Sequence, residues 1–358
     1  MRRYIHMNET IKLTPRQKAI LNLLAMGHSL PREKIGAQIS SLFPMSKATL
    51  ARDLQFLTKK GFITTSGKGP STTYHPITFH PLLAYIDLAH YFSLEPDKRN
   101  GHTALTPTVF DTLSNITSAT EKQELNLLFR SFTKSADALD ETIQRRELER
   151  YIIELSWKSS KIEGNTYTLL ETETLIKQGQ EATGRTKQEA LMILNHKEAF
   201  KTIVKKRNDF KTLTLTDIVG LHNVLIKDID ITSGIRKHAV GITGTTYQPL
   251  SNEWHIKEAL VYMAKKINAT TYPLEKALLA SIFIPYIQPF ADGNKRTGRM
   301  LANAILLAYD HFPLSYRSID ENEYKKALIV FYETNNMFHV KRLFLDQYRF
   351  ALKTYFLS

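Results

Sequence analysis

Residues 287–299 read Ile-Gln-Pro-Phe-Ala-Asp-Gly-Asn-Lys-Arg-Thr-Gly-Arg, the densest run of chemically useful side chains in the 358-residue chain. Glycines allow a tight turn that aims several backbone N–H groups at one point, and a helix starting there adds positive potential. Such a loop is expected to be an anion nest. Arg296 and Arg299 fall on one side of the first helical turn, and Asp292 is placed to hold a divalent cation that bridges phosphates, a spacing that suits a nucleotide. Asp-Gly-Asn alone reads better as a capped helix start with solvent-facing arginines. The thirteen-residue context shifts the reading to the nest.

Two helices must carry this loop, because apolar runs at 277–284 and 300–308 flank it. Helical periodicity also marks 123–132, 141–160, 187–204, 218–225 and 256–267. No βαβ alternation is present, which disfavours a doubly wound nucleotide fold. The one β element expected in this region is a Gly/Thr-rich hairpin over 239–249, so the fold class is mainly α. His75, His80, His196, His222, His238 and His255 lack paired metal-ligand spacing and read as core or surface histidines. Glu171, Glu173 and residues 320–323 read as solvated helix faces or caps. Tyr316, Phe331 and Tyr332 either line a pocket or pack the last helices, with packing favoured.

Residues 288–299 match the signature His-Pro-Phe-x-Asp/Glu-Gly-Asn-Gly-Arg-x-x-Arg at every defined position except the first and eighth, and the chain here resembles the Fic (Fido) family. Residues 159–165, Ser-Ser-Lys-Ile-Glu-Gly-Asn, are similar to that family's inhibitory motif, and Gly234-Ile235-Arg236 followed by 240–249 looks like its flap. The resemblance covers 105–358 and implies a helical Fic fold with a short β-hairpin flap. It further implies ATP and Mg²⁺ as cofactors and transfer of AMP to a Ser, Thr or Tyr hydroxyl of a protein docked at the 239–250 flap. Carried over, it gives Asp292 the metal and Gly293, Asn294 and the Lys295 backbone the anion hole. Arg296 and Arg299 take the phosphates, Gly241, Ile242, Thr243 and Gly244 flank the nucleotide, and Tyr324 contacts adenine. Phe290 is a buried anchor, and Glu163, with Ser159 in the same motif, pairs with Arg299 to obstruct the γ-phosphate.

Two departures bear on activity. Gln288 stands where the family has its general-base histidine, and an amide takes up no proton at pH 7, so about 10²–10⁴-fold of rate is forfeited while nucleotide binding is retained. Lys295 replaces the second signature glycine, as in Doc-type relatives that act as kinases. Three readings stay open: a slow, self-inhibited adenylyltransferase, a non-catalytic nucleotide sensor, and a Doc-like phosphotransferase.

Charge separates this region from the first quarter of the chain. The formal net charge is +13, and residues 1–80 carry +9 of it, with twelve Lys or Arg against three acids. Helix signals follow Thr14-Pro15 up to Gly27, Ser29-Leu30-Pro31 (with Ile35, Ile39 and Leu42 on one face), and Ser46 (with Leu50, Leu54 and Leu57). A hairpin over 62–75 with Lys68 at its tip comes next. This order resembles the winged helix-turn-helix regulators over 12–78. It implies DNA contacts from Ser46, Lys47, Thr49, Arg52 and Lys68, with a protein-adaptor role as the alternative. The expected organisation is a winged helix at 1–78, a connector with one short helix at 79–104, and a Fic domain at 105–358. With no cysteine, no bilayer-length apolar run and a polar start, the expectation is a cytoplasmic protein without a membrane partner; a homo-oligomer stays open.

Overall fold

Fifteen α-helices and three short strands are present among the residues that the computed structural model describes, namely 13–25, 29–76, 81–113 and 116–356. Gly27, His80 and the two ends of the 12–78 segment lie outside them. The chain divides into two compact units, residues 1–95 with 336–338, and residues 96–335 with 339–358.

The first unit contains α1 (Pro15–Ala25), β1 (Leu30–Pro31), α2 (Arg32–Ser40), α3 (Lys47–Lys59), β2 (Ile63–Ser66), β3 (Thr73–Pro76) and α4 (Leu88–Tyr91). The apolar stripes of the three long helices close over Ile20, Leu24, Ile35, Leu54, Leu57 and Ile63. β3 pairs antiparallel with both neighbours in the order β1-β3-β2. Leu42 departs from expectation: α2 stops at Ser40 and the side chain is 69% exposed. The single connector helix is instead a 3₁₀ turn at Pro81–Leu83 followed by the four-residue α4, because Asp87 caps a fresh start by accepting the Ala89 N–H.

The second unit holds α5 (Val109–Thr112), α6 (Ala119–Asp137), α7 (Glu141–Ile162), α8 (Leu169–Gln178), α9 (Lys187–Lys205), α10 (Leu215–Leu225), α11 (Glu253–Ala269), α12 (Pro273–Ile287), α13 (Asn294–Ala308), α14 (Glu321–Thr334) and α15 (Phe338–Thr354). Reciprocal capping boxes, Ser118 with Glu121, Thr168 with Glu171, Thr186 with Glu189 and Thr214 with Asp217, start α6, α8, α9 and α10. Helix α12 is the centre of this unit, buried on every side from Leu274 to Ile287. Even its charged residues are satisfied inside: Glu275 accepts the Thr117 N–H at 2.9 Å, and Lys276 donates to the carbonyls of Ile267 and Asn268, each at 3.0 Å.

Helices α12 and α13 meet where Pro285 faces Gly298. Pro285 has no N–H for the Ser281 carbonyl, and a Cβ on Gly298 would lie 3.0 Å from both that oxygen and the Pro285 ring. Helix propensity alone favours alanine over glycine by about 1 kcal/mol. Here two immobile neighbours oppose it, so Gly298→Ala is expected to destabilise by about 1–2 kcal/mol, a loss of several degrees in calorimetric Tm. An unchanged or raised Tm would show that the two helices separate freely.

The hairpin expected over 239–249 is absent; among the described residues that segment forms no strand and makes one isolated parallel bridge, Ala104 with Gln248. Its backbone is held by side chains instead of by a partner strand. The buried Arg236 donates to the carbonyls of His238 (2.6 Å) and Leu250, occupying both ends of the would-be ladder from inside. The Thr245 hydroxyl donates to Glu333 at 2.5 Å, and Tyr247 Oη donates to the Tyr286 carbonyl at 2.8 Å.

Candidate functional site

The site starts where α12 ends. Pro289 has no N–H to give the Pro285 carbonyl, so the Gln288 side chain folds back and its Nε2 donates to that oxygen at 2.7 Å. Gln288 takes up the left-handed conformation as C-cap, with φ 51°. Its Oε1 accepts from Asn294 Nδ2 at 2.8 Å, while Asn294 also accepts the Phe290 N–H and donates to the Phe290 carbonyl, both at 2.9 Å. Asn294 therefore ties the loop to the first turn of α13. Behind it, Arg236 donates from Nε to the Gln288 carbonyl at 2.6 Å and from its backbone N–H to the Pro289 carbonyl at 3.0 Å, joining the loop to the 239–250 segment.

Phe290 is the buried anchor expected, stacked on the His222 ring at 3.6 Å between centroids. His222 Nε2 lies 3.0 Å from the Asp292 carbonyl, and burial pushes the imidazole down to about 4, so it is neutral and donates to that oxygen at pH 7. Gly293 caps α13 with φ 80°; a side chain there would be strained and would press on Arg296 Nη2 at 3.3 Å.

Neither arginine faces solvent; Arg296 and Arg299 are each 1% exposed. Arg296 Nη2 bonds Asp292 Oδ2 at 3.0 Å, and its Nε and Nη1 have no hydrogen-bond partner among the described residues. Arg299 is fully engaged by the C-terminal turn of α7: Nε donates to Ser159 Oγ (3.0 Å), Nη2 to the Ser159 carbonyl (2.8 Å) and Nη1 to Glu163 Oε1 (2.9 Å). The other carboxylate oxygen of Glu163 meets Lys295 Nζ at 2.9 Å. Burial opposes ionisation of Glu163, but the charges of Arg299 and Lys295 outweigh it and hold the carboxyl down at about 2. Ser159 Oγ also lies 2.8 Å from Nε2 of the buried His196, whose Nδ1 lies 2.7 Å from the Met192 carbonyl.

An open cleft of about 440 Å³ runs past these groups. Glu163, Gln288, Asp292, Asn294 and Lys295 form one wall, Val240, Gly241, Ile242 and Thr243 another, and Leu328, Ile329 and Tyr332 of α14 a third. Of the expected residues, Gly244, Gly293, Arg296, Arg299 and Tyr324 are not on these walls. Gly244 turns its carbonyl to Arg99 at 2.5 Å, and Tyr324 lines a separate cavity of about 20 Å³ beside Tyr316. The Tyr324 ring centroid sits 5.6 Å from the Arg299 guanidinium, so the tyrosine packs against the arginine, while Tyr332, two turns further along α14, reaches the cleft. Among the described residues no three His, Cys, Asp or Glu side chains converge to hold a metal, and the Asp292 carboxylate is 66% exposed. A cation there fits only with oxygens brought by a ligand. Sequence reasoning read His196 and His222 only as core or surface histidines, and both are buried, but it gave neither them nor the buried Arg236 its contact to the site. Lone histidines carry no periodic or spacing signal, whereas Arg236 was visible in the Gly-Ile-Arg motif.

Residues 212–306 match the family model Fic, described as the Fic/DOC family. The chain is 27% identical over 191 residues to the protein adenylyltransferase Fic of Nematostella vectensis, covering 51% of this chain and 44% of that protein. To the protein adenylyltransferase Fic of Culex quinquefasciatus it is 29% identical over 209 residues, 56% and 41% of the two chains. This chain thus spans less than half the length of these curated relatives. In fold it is similar to a Fic domain-containing signaling protein from Bacteroides thetaiotaomicron, with TM-score 0.56 and 21% identity over 64% of this chain and 94% of that one. It is also similar to Fic-1 (residues 134–508) from C. elegans, with TM-score 0.55 and 20% identity over 69% and 80%. The mainly helical Fic fold follows from these likenesses.

In the first unit, Lys47, Arg52 and Lys68 are exposed. Ser46 is the N-cap of α3, its Oγ accepting the Thr49 N–H at 3.1 Å and lying 2.9 Å from Thr49 Oγ1, so both hydroxyls already serve the helix start. No helix among the described residues is long and apolar enough to cross a membrane.

Proposed function

We propose that the chain binds ATP in the cleft as an adenylyltransferase-type Fic protein, that Glu163 holds it inhibited, and that Gln288 slows its chemistry. The observation that carries this reading is Arg296, a buried cation with two unpartnered guanidinium nitrogens beside a helix N-terminus. Leaving such donors empty costs about 1–3 kcal/mol, and a phosphate oxygen satisfies them. Asp292 would hold Mg²⁺ together with phosphate oxygens, and the ion would neutralise phosphate charge. Arg296, Arg299 and Lys295 orient the chain of phosphates, and the 240–243 wall keeps it beside the loop. Attack of a target hydroxyl on the α-phosphorus then forms the new ester and expels pyrophosphate, and the hydroxyl proton goes to water because Gln288 does not accept it.

A second reading, nucleotide sensing without transfer, is favoured by the tied amide of Gln288, which bonds the Pro285 carbonyl and Asn294. The test uses the full chain carrying Glu163→Gly, incubated with a cell extract and ATP labelled at the α or the γ phosphate. Label from the α position on protein is the expected result. γ-Label would mean a Doc-like kinase, and ATP binding with neither label would mean a sensor.

The first unit is proposed to bind duplex DNA through Lys47, Arg52 and Lys68, as the +9 charge of residues 1–80 favours. Three phosphate contacts give a log–log salt slope of roughly −3. A flat salt response of the full chain would favour the protein-adaptor role.

A further inference from the structure

We propose that Lys295 is a second latch on Glu163, so that an anion enters the loop only after two ion pairs to one carboxylate have been exchanged. The inference rests on the anion-binding reading of the cleft and adds a regulatory role for a residue that departs from the signature. Both carboxylate oxygens are engaged, Oε1 by Arg299 Nη1 and Oε2 by Lys295 Nζ, each at 2.9 Å. Rotation that frees one oxygen leaves the other held.

Each member of the Lys295 pair sits at the unfavourable end of its own helix. Glu163 is the C-cap of α7, where the partial charge is negative, and Lys295 is the second residue of α13, where it is positive. Each charge is therefore disfavoured locally and stabilised by the other. An anion arriving at the start of α13 relieves Lys295 in the same way that Glu163 does, so the ammonium can pass from one to the other without being left unpaired. Arg299 cannot move in this manner: its side chain is 1% exposed and bonded twice more to Ser159, whereas the Lys295 side chain is 32% exposed on a flexible stem. Release therefore begins at Lys295. A glycine there, as in the signature, would leave Oε2 of Glu163 without its cation.

The test is amide hydrogen exchange of the Glu163, Gly164 and Asn165 N–H groups in the nucleotide-free full chain, which bond the carbonyls of Ser160 and Lys161. Lys295→Met, which keeps the stem, is expected to speed exchange about 5-fold, Lys295→Arg to restore protection, and Lys295→Met to add nothing once Glu163→Gln is present. Unchanged exchange in Lys295→Met, or effects that multiply independently in the double variant, would overturn the latch. ATP titrations run in parallel: Lys295→Met should be about 5-fold more favourable to binding with Glu163 present than with Glu163→Gln. If exchange shows the coupling while Glu163→Gln binds no ATP, the latch stands and the nucleotide reading fails.

Discussion

Gln288→His, introduced beside Glu163→Gly, is expected to raise the rate of α-phosphate label transfer about 10²–10⁴-fold, the range supplied by a positioned general base. The position is prepared for it. Residue 288 has φ 51°, a left-handed conformation that histidine adopts more readily than most side chains. The Pro285 carbonyl, orphaned because Pro289 lacks an N–H, is available to an imidazole Nδ1–H once the Gln288 amide is gone. That bond would select the tautomer with Nε2 unprotonated and open to a target hydroxyl. Asn294 keeps its two bonds to Phe290 whichever residue stands at 288, so the loop is expected to hold its shape. Equal rates with Gln288 and with the substitution would mean that the proton leaves by another route and that Gln288 is not the lesion.

Arg299→Met is expected to cost about 3–5 kcal/mol, the range for breaking a buried ion pair on one side, and to abolish ATP binding as well. The guanidinium makes three bonds to the end of α7, and its removal strands the Ser159 carbonyl and half of the Glu163 carboxylate. For a unit of this size the loss corresponds to a fall of roughly 6–15 °C in Tm. Acid provides an independent check. Glu163 titrates at about 2 in the folded protein, below its ordinary 4.5. The ionised form is therefore the stabilised one, and its contribution, on the order of 3 kcal/mol, is complete above about pH 5 and lost as pH falls toward 2. Calorimetric scans should show Tm dropping through that window, with Arg299→Met and Glu163→Gln both flattening the drop. Parallel acid limbs for all three proteins would mean that Glu163 is not held by Arg299.

Much of the site was readable from residue types because its chemistry is local. A Gly-Asn-Lys-Arg run behind an apolar helix favours a tight turn and a helix start, and Asp292, Arg296 and Arg299 were placed by short-range spacing, whereas Ser159 and Glu163 came from the resemblance to an inhibitory motif. Helices were legible in part: the one read over 187–204 is α9, started by the Thr186–Glu189 cap, whereas α8, started by the same kind of cap at Thr168, was not read. Strand pairing was legible for the hairpin expected over 62–75, which forms the β2–β3 ladder, but not for 239–249. Residues 239–249 carry the Gly/Thr composition of a hairpin, yet the segment and its ends are held by side-chain bonds involving Arg236, Glu333 and Tyr286, between residues 2 to 88 apart in sequence. The same holds for Tyr324 and Tyr332, indistinguishable in type and two turns apart on α14, of which one meets Arg299 and the other the cleft.

The order of residues 287–299 was enough to predict a tight turn and helix start suited to an anion, with no proton acceptor at 288, because both depend on side-chain chemistry and on contacts within one turn. That the arginines are buried, that Arg296 keeps two donors free, and that Lys295 shares Glu163 with Arg299 depends on α7 lying against α13, more than 130 residues away in sequence. Such contacts are selected by the packing of the whole helical unit around α12, where burial strengthens each charge interaction and penalises each unpaired group.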